Sequence, residues 1–191
     1  MKTLSIVIAG VGGQGTLLAS RILGALGTDE GFQVKVSEVH GMSQRGGSVI
    51  TYVRIGDEVF SPLVEFGGAD YVLAFERLEA LRALPHLKKD GTMVMNTQII
   101  PPMSVITGAS AYPEDILEKL RESAHTVELP ALEIAGRAGE ARAVNLVLLG
   151  KLSTLLPFSD EAWIRAIRGC VAERFMSGNL SAFELGKAEV C

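Results

Sequence analysis

The apolar and polar positions of the first forty residues trace a strand, a helix and a second strand. Residues 3–9 are apolar without clean alternation, as expected of a strand covered on both faces. Residues 16–26 place Leu18, Ile22 and Leu26 at i, i+4 and i+8, one face of a helix that Gly27 closes. Residues 32–39 alternate Phe32, Val34 and Val36 with Gln33, Lys35 and Ser37, the period of a strand, which completes a β-α-β opening. Further on, residues 49–55 read as a strand. Gly56 and Asp57 signal a turn, and residues 58–60 return as a short strand, so a hairpin is predicted there. Strands follow at 71–75, 92–96 and 126–129, with an edge strand at 105–107 after the extended IIPP run of 99–102. Helices are predicted over 76–84, 113–122, 138–156, 160–171 (capped by Ser159) and 179–190. The helix over 144–156 is apolar nearly all round, which requires burial in the core or against another chain. These elements predict an α/β fold: a single Rossmann-like domain over residues 1–191, with a mostly parallel sheet, an antiparallel hairpin and helices on both faces.

Composition changes this picture little but excludes several function classes. The 191 residues, 48% hydrophobic with 21 glycines, suit one α/β domain with a full core and many tight turns. The formal net charge is −4 and no Lys/Arg run occurs, so no nucleic-acid partner is expected. No apolar stretch reaches the roughly 18–20 residues needed to cross a bilayer. The short apolar run after Lys2 breaks at glycines and is read as a first strand rather than a leader. Cys170 and Cys191 are far apart, with no disulfide framework and no C-x-x-C spacing for zinc or a cluster, so a cytoplasmic setting is expected.

Candidate chemistry gathers in two loops. Gly10, Gly12 and Gly15 complete G-x-G-x-x-G, with Gly13 and Gln14 between them, where a strand meets a helix. Such a turn lets backbone approach a pyrophosphate, and the helix presents free N–H groups at the positive end of its dipole. Glu38 lies where the ribose-binding acid of a dinucleotide site falls, so spacing alone points to an oxidoreductase domain binding NAD or FAD. The second loop holds His40, Gly41, Ser43, Gln44, Arg45, Gly46 and Gly47, dense in hydrogen-bonding groups. Its glycines allow an anion nest, and Arg45 suits a phosphate or carboxylate. Both loops are expected at the carboxyl ends of neighbouring strands. Glu38, His40 and Ser43 lie too close in sequence for a hydrolase triad, and His86 and His125 are isolated. Glu76 and Arg77 follow a buried strand, where helix capping is the favoured role. Asn145, in an apolar helix, needs a polar partner and is a further site candidate.

The GVGGQG run at 10–15 followed by EVHGMSQRGGSV at 38–49 resembles the gamma-type subunit or domain of the 2-oxoacid:ferredoxin oxidoreductases, nearest to the indolepyruvate type. Further matches are SPL at 61–63, ADYVLAFE at 69–76, residues 96–101, NLVLLG at 145–150 and NLSAFELG at 179–186, so the resemblance covers essentially the whole chain. The HGMSQRGG loop is its most specific part. The resemblance implies a subunit inactive alone and no nicotinamide cofactor. It implies a large alpha subunit as partner, holding thiamine diphosphate, magnesium and iron–sulfur clusters. A 2-oxoacid would be decarboxylated there, electrons would pass to ferredoxin, and the acyl group would leave on coenzyme A. The two loops then either contribute to the coenzyme A side of the active site at the subunit interface or dock the alpha subunit. The isolated chain is left free to self-associate.

Overall fold

The computed structural model describes residues 1–40 and 47–190, His40 by its backbone alone. Strand β1 (Leu4–Val11) is buried along nearly its whole length and sends Ile6 and Ile8 to one side, Val7 and Ala9 to the other. Helix α1 (Thr16–Asp29) crosses to β2 (Gln33–His40), and β3 (Ser48–Gly56) follows in the chain. Then come β4 (Ala69–Ala74), α2 (Arg77–Ala83), β5 (Leu87–Asn96), the single turn α3 (Met103–Ile106), α4 (Ile116–Ser123) and β6 (His125–Leu129). Four helices close the chain: α5 (Ala131–Arg137), α6 (Val144–Ser153), α7 (Asp160–Cys170) and α8 (Met176–Ala188).

The sheet order is β2-β3-β1-β4-β5-β6, with β3 antiparallel to both its neighbours and the remaining pairings parallel. This is the expected mostly parallel sheet with a hairpin, but the hairpin is β2–β3 and not the one predicted at 49–60. Residues 58–60 form no strand. One edge of β3 is occupied by β1 and the other by β2, so a returning segment finds no free edge to pair with. The predicted edge strand at 105–107 is replaced by α3. Pro102 is the extended N-cap of that turn, and Val105 N–H and Ile106 N–H both donate to its carbonyl.

The predicted helix over 138–156 is divided. Helix α5 ends in a Schellman motif: Gly139, with φ 80°, donates to Gly136 O (3.0 Å), and Glu140 donates to Ala135 O (3.1 Å). Only after this turn does α6 begin. Helix α6 is buried inside the fold, together with α1, α5, α7 and α8, on one face of the sheet. Helices α2 and α4 cover the other face over β1, β4 and β5. Residues such as Leu148, Leu149 and Leu152 are fully enclosed, each worth roughly 1.5–3 kcal/mol of transfer free energy. Ser159 caps α7 as expected, its side chain accepting from Ala162 N–H.

At the α6–α8 crossing, Gly150 faces the carbonyl of Phe183 and Gly186 faces the carbonyl of Val147, so the two backbones touch directly. These glycines end the NLVLLG and NLSAFELG runs. They explain in packing terms why those runs carry glycine there.

Candidate functional site

The glycine turn leaves β1 at Val11 and becomes α1 through Gly15, whose φ of 87° and ψ of 20° place it in the left-handed region. Among the described residues no side chain caps α1, so its first N–H groups have no side-chain partner there. Gln14 folds back over the turn: its Oε1 accepts from Val11 N–H (2.7 Å) and its Nε2 donates to Phe75 O (3.0 Å). That amide therefore shapes the turn and joins it to the end of β4. Asn96 donates to the same Phe75 carbonyl (3.1 Å) and accepts from Ala131 N–H (3.1 Å), which fixes the ends of β4 and β5 and the start of α5 together.

Asn145, almost fully buried in the first turn of α6, donates to Gly15 O at 3.4 Å, the nearby-loop partner its burial demands. A Cβ at Gly15 would lie 2.9 Å from Asn145 Nδ2. Gly15→Ala is therefore expected to lose about 1–2 kcal/mol from the left-handed backbone alone, with the clash added. Urea melts of Gly15→Ala, Asn145→Ala and the double variant check this. The double should be less destabilised than the sum, since Asn145→Ala removes the clash but not the backbone strain.

The turn forms a ridge between two clefts. One, of about 420 Å³, is lined by Gly12, Gly13, Thr16 and Arg21 of the turn and α1 and by Glu38 and Val49 of β2 and β3. The second, of about 520 Å³, is bounded by Gly13, Gly15, Leu18, Asn145, Phe175 and Asn179. Gly10 sits below, paired with Val49 at the end of β1. The first cleft brings Glu38 to the turn, yet β3 lies between β1 and β2. Glu38 is thus one strand, about 4.8 Å, further from β1 than an acid on an adjacent strand would be. The expectation of neighbouring strands is corrected in the same way: the second loop joins β2 to β3, and β3 brings its far end beside the turn. Gly47 O accepts from Gly12 N–H at 2.9 Å. The backbone of His40 ends β2 opposite Val49. Gly41, Ser43, Gln44, Arg45 and Gly46 lie outside the described residues.

Two carboxylates on α2 escape sequence reading as organisers of this rim. Glu76 caps α2, as favoured from its position: its Oε2 accepts from Glu79 N–H at 3.0 Å. Its Oε1 accepts from Tyr112 Oη (2.6 Å) and Ile100 N–H (3.1 Å), drawing the 97–112 segment onto α2. Buried Glu79 accepts from Ser48 Oγ (2.5 Å) and Arg82 Nη1 (2.5 Å), which anchors the start of β3. Glutamates in the first turn of a short helix suggest capping and dipole effects. Nothing in the spacing signals that they tie down two loops.

The model for the family described as pyruvate ferredoxin/flavodoxin oxidoreductase matches residues 5–189. The chain belongs to this family. It is 43% identical over 192 residues to the indolepyruvate oxidoreductase subunit IorB of Thermococcus kodakarensis, a match covering 97% of this chain and 95% of that protein. Among solved structures it is similar to the keto/oxoacid ferredoxin oxidoreductase gamma subunit of Geobacter sulfurreducens. That match has a TM-score of 0.72 and 25% identity, and covers 96% of this chain and 95% of that one. It shares its fold with part of the 2-oxoglutarate:ferredoxin oxidoreductase of Magnetococcus marinus, a structure with 2-oxoglutarate, coenzyme A and succinyl-CoA bound. There the TM-score is 0.75 at 24% identity, and the match covers 98% of this chain but 31% of that one.

Proposed function

We propose that this chain is the small, gamma-type subunit of an indolepyruvate ferredoxin oxidoreductase, acting as one domain over residues 1–191 in the cytoplasm. The enzyme would decarboxylate indolepyruvate oxidatively, transfer the acyl group to coenzyme A as indoleacetyl-CoA, release CO₂ and pass the electrons to ferredoxin. The observation that carries this reading is the 43% identity to an IorB subunit along 97% of the chain. Thiamine diphosphate, magnesium and the iron–sulfur clusters are assigned to the large alpha subunit. Among the described residues, no group of three or more His, Cys, Asp or Glu side chains is arranged to hold a metal ion.

The residues present fit the phosphate portion of coenzyme A in one respect: among the described residues α1 has no side-chain cap, and a Cβ at Gly13 would meet none of them within 4 Å. The backbone N–H groups of Gly13, Gly15 and Thr16, with Arg45, would hold a phosphate at the subunit interface, the Gln14 N–H being taken by Val11 O. Gly12, Gly47 and Gln14 shape that turn, and Asn145 supports it from behind. Coenzyme A supplies the thiol that accepts the acyl group. This chain's part is to position the nucleotide and exclude water. An insertion of β3 between β1 and β2 does not favour a free-standing NAD or FAD enzyme.

Affinity purification of the tagged chain from cells that also express the alpha subunit tests the assignment. The expected product is a brown, thiamine-dependent complex that reduces ferredoxin with indolepyruvate and coenzyme A. A chain that stays alone and binds NADH contradicts the reading. Titration of the complex with coenzyme A separates the two loop roles. Arg45→Ala should weaken the affinity about tenfold, as for loss of one charged hydrogen bond. Intact affinity together with weakened subunit association would assign the loop to docking.

A further inference from the structure

The loop over residues 97–112 leaves the carboxyl end of β5 on the same rim as the glycine turn, and it is an unusual piece of surface. It contains no Asp, Glu, Lys or Arg in sixteen residues, although 21% of the chain is charged and about three would be expected at that frequency. Ile99, Met103 and Ile106 are exposed to 46%, 64% and 65%, and no residue of α3 is buried. A one-turn helix has no stability of its own in water, so the loop must be held by its ends. Both ends are held by one atom: Glu76 Oε1 accepts from Ile100 N–H and from Tyr112 Oη. Inside the loop, Ser110 bonds back to Ser104 through backbone and side chain, each at 3.0 Å. The result is a closed, pre-ordered Ω-type loop that presents Met103 and Ile106 outward.

Charge depletion with exposed methionine and aliphatic side chains is the composition of an interface centre, and pre-ordering reduces the entropy lost on docking. A second apolar surface segment, residues 57–68 at the opposite end of the strands, exposes Phe60 and Phe66. It also carries Asp57, Glu58 and Glu65, which suits a solvated surface better. The occupant follows from the family. In the Magnetococcus enzyme this fold is only 31% of a longer chain, so the same unit there is joined to further polypeptide; on the proposed subunit role, this chain would meet the corresponding polypeptide as a separate subunit.

We infer that residues 97–112 are the docking loop for the large subunit, Met103 and Ile106 entering an uncharged apolar cradle on it, with Glu76 as the residue that positions the loop. This rests on the proposed subunit role.

The test uses the full chain with the purified large subunit. Met103→Asp with Ile106→Asp should weaken association about 100-fold, as for loss of two central anchors. The melting temperature should change little, because both side chains are mostly exposed in the free chain. Phe60→Asp, at the other end of the sheet, should leave association intact. Hydrogen exchange should show protection at residues 99–110 on complex formation. Glu76→Gln should raise exchange there in the free chain and lower affinity. Undiminished binding by the Met103/Ile106 pair overturns the loop assignment and leaves the subunit role standing. Loss of self-association of the isolated chain, with the complex intact, would assign the loop to a second copy and overturn it too. Failure of the unaltered chain to bind the large subunit overturns both.

Discussion

Replacing Gly150 by alanine is expected to lower the melting temperature by about 6–12 °C, the shift for a loss of about 3 kcal/mol in a chain of this size. A Cβ at that position would lie 2.0 Å from the carbonyl oxygen of Phe183 and 2.9 Å from its carbon. The obstacle is backbone, so no side-chain rotation relieves it. Gly186→Ala meets the reciprocal obstacle, with Val147 O at 2.1 Å, and should cost a similar amount. Either variant must force α6 and α8 apart, and α6 is enclosed on every side. Its displacement would open contacts with α1 and α5 as well. The double variant distinguishes this account from simple helix propensity. Alanine is the better helix former, so on propensity alone each substitution would stabilise. Once one alanine has separated the helices, the second should cost less than the first. Thermal melts of the two single variants and the double decide the matter. An unchanged or raised melting temperature for Gly150→Ala would show that the crossing is not closed as described.

The same crossing shows what was legible in the sequence. The apolar periodicity of residues 144–156 required burial. It did not reveal that the neighbour would be another helix at backbone contact, because glycine alone leaves no pattern. The division of the predicted 138–156 helix was readable in principle: Gly139 follows a short helical run, as a C′ glycine does. Alanines at 138, 141 and 143 hid it, since they are equally at home in helix and turn. Sheet direction followed from the β-α-β opening, whereas the position of β3 between β1 and β2 did not. Strand order depends on which edges are already filled, and that is a long-range property. Gly12, Gly13, Gly15 and Glu38 line one cleft, with Glu38 a strand further from β1 than its spacing suggests, and Asn145 reaches the turn through Gly15 O. The roles of Gln14 and Asn96 depend on Phe75 O, a backbone atom contributed from another strand. No spacing rule within one segment could reach it.

The second large effect is expected at Glu76, which is 1% exposed and accepts three hydrogen bonds from three different parts of the chain. Glu76→Ala would leave Glu79 N–H without its cap and would free Ile100 N–H and Tyr112 Oη together. A lost cap costs about 1 kcal/mol and a buried group left unsatisfied about 1–3 kcal/mol, so a total of about 3 kcal/mol is expected. Glu76→Gln keeps an acceptor oxygen and the cap, so it should lose clearly less. The pH dependence carries an independent signature. Burial, and then the bond to the Glu76 carboxylate, raise the Tyr112 phenol above its ordinary value of 10.0. A raised folded value means that the folded state holds the proton more tightly. The stability it provides is complete below pH 10 and is lost as the pH rises towards the folded value. Wild type should therefore lose more stability than Tyr112→Phe between pH 9 and pH 11, with no such difference between pH 6 and pH 8. In Glu76→Ala that alkaline component should shrink, because the carboxylate that disfavours phenolate is gone. Urea denaturation of the three proteins at these pH values checks the latch. Equal alkaline slopes in wild type and Tyr112→Phe would show that the phenol is not held by Glu76.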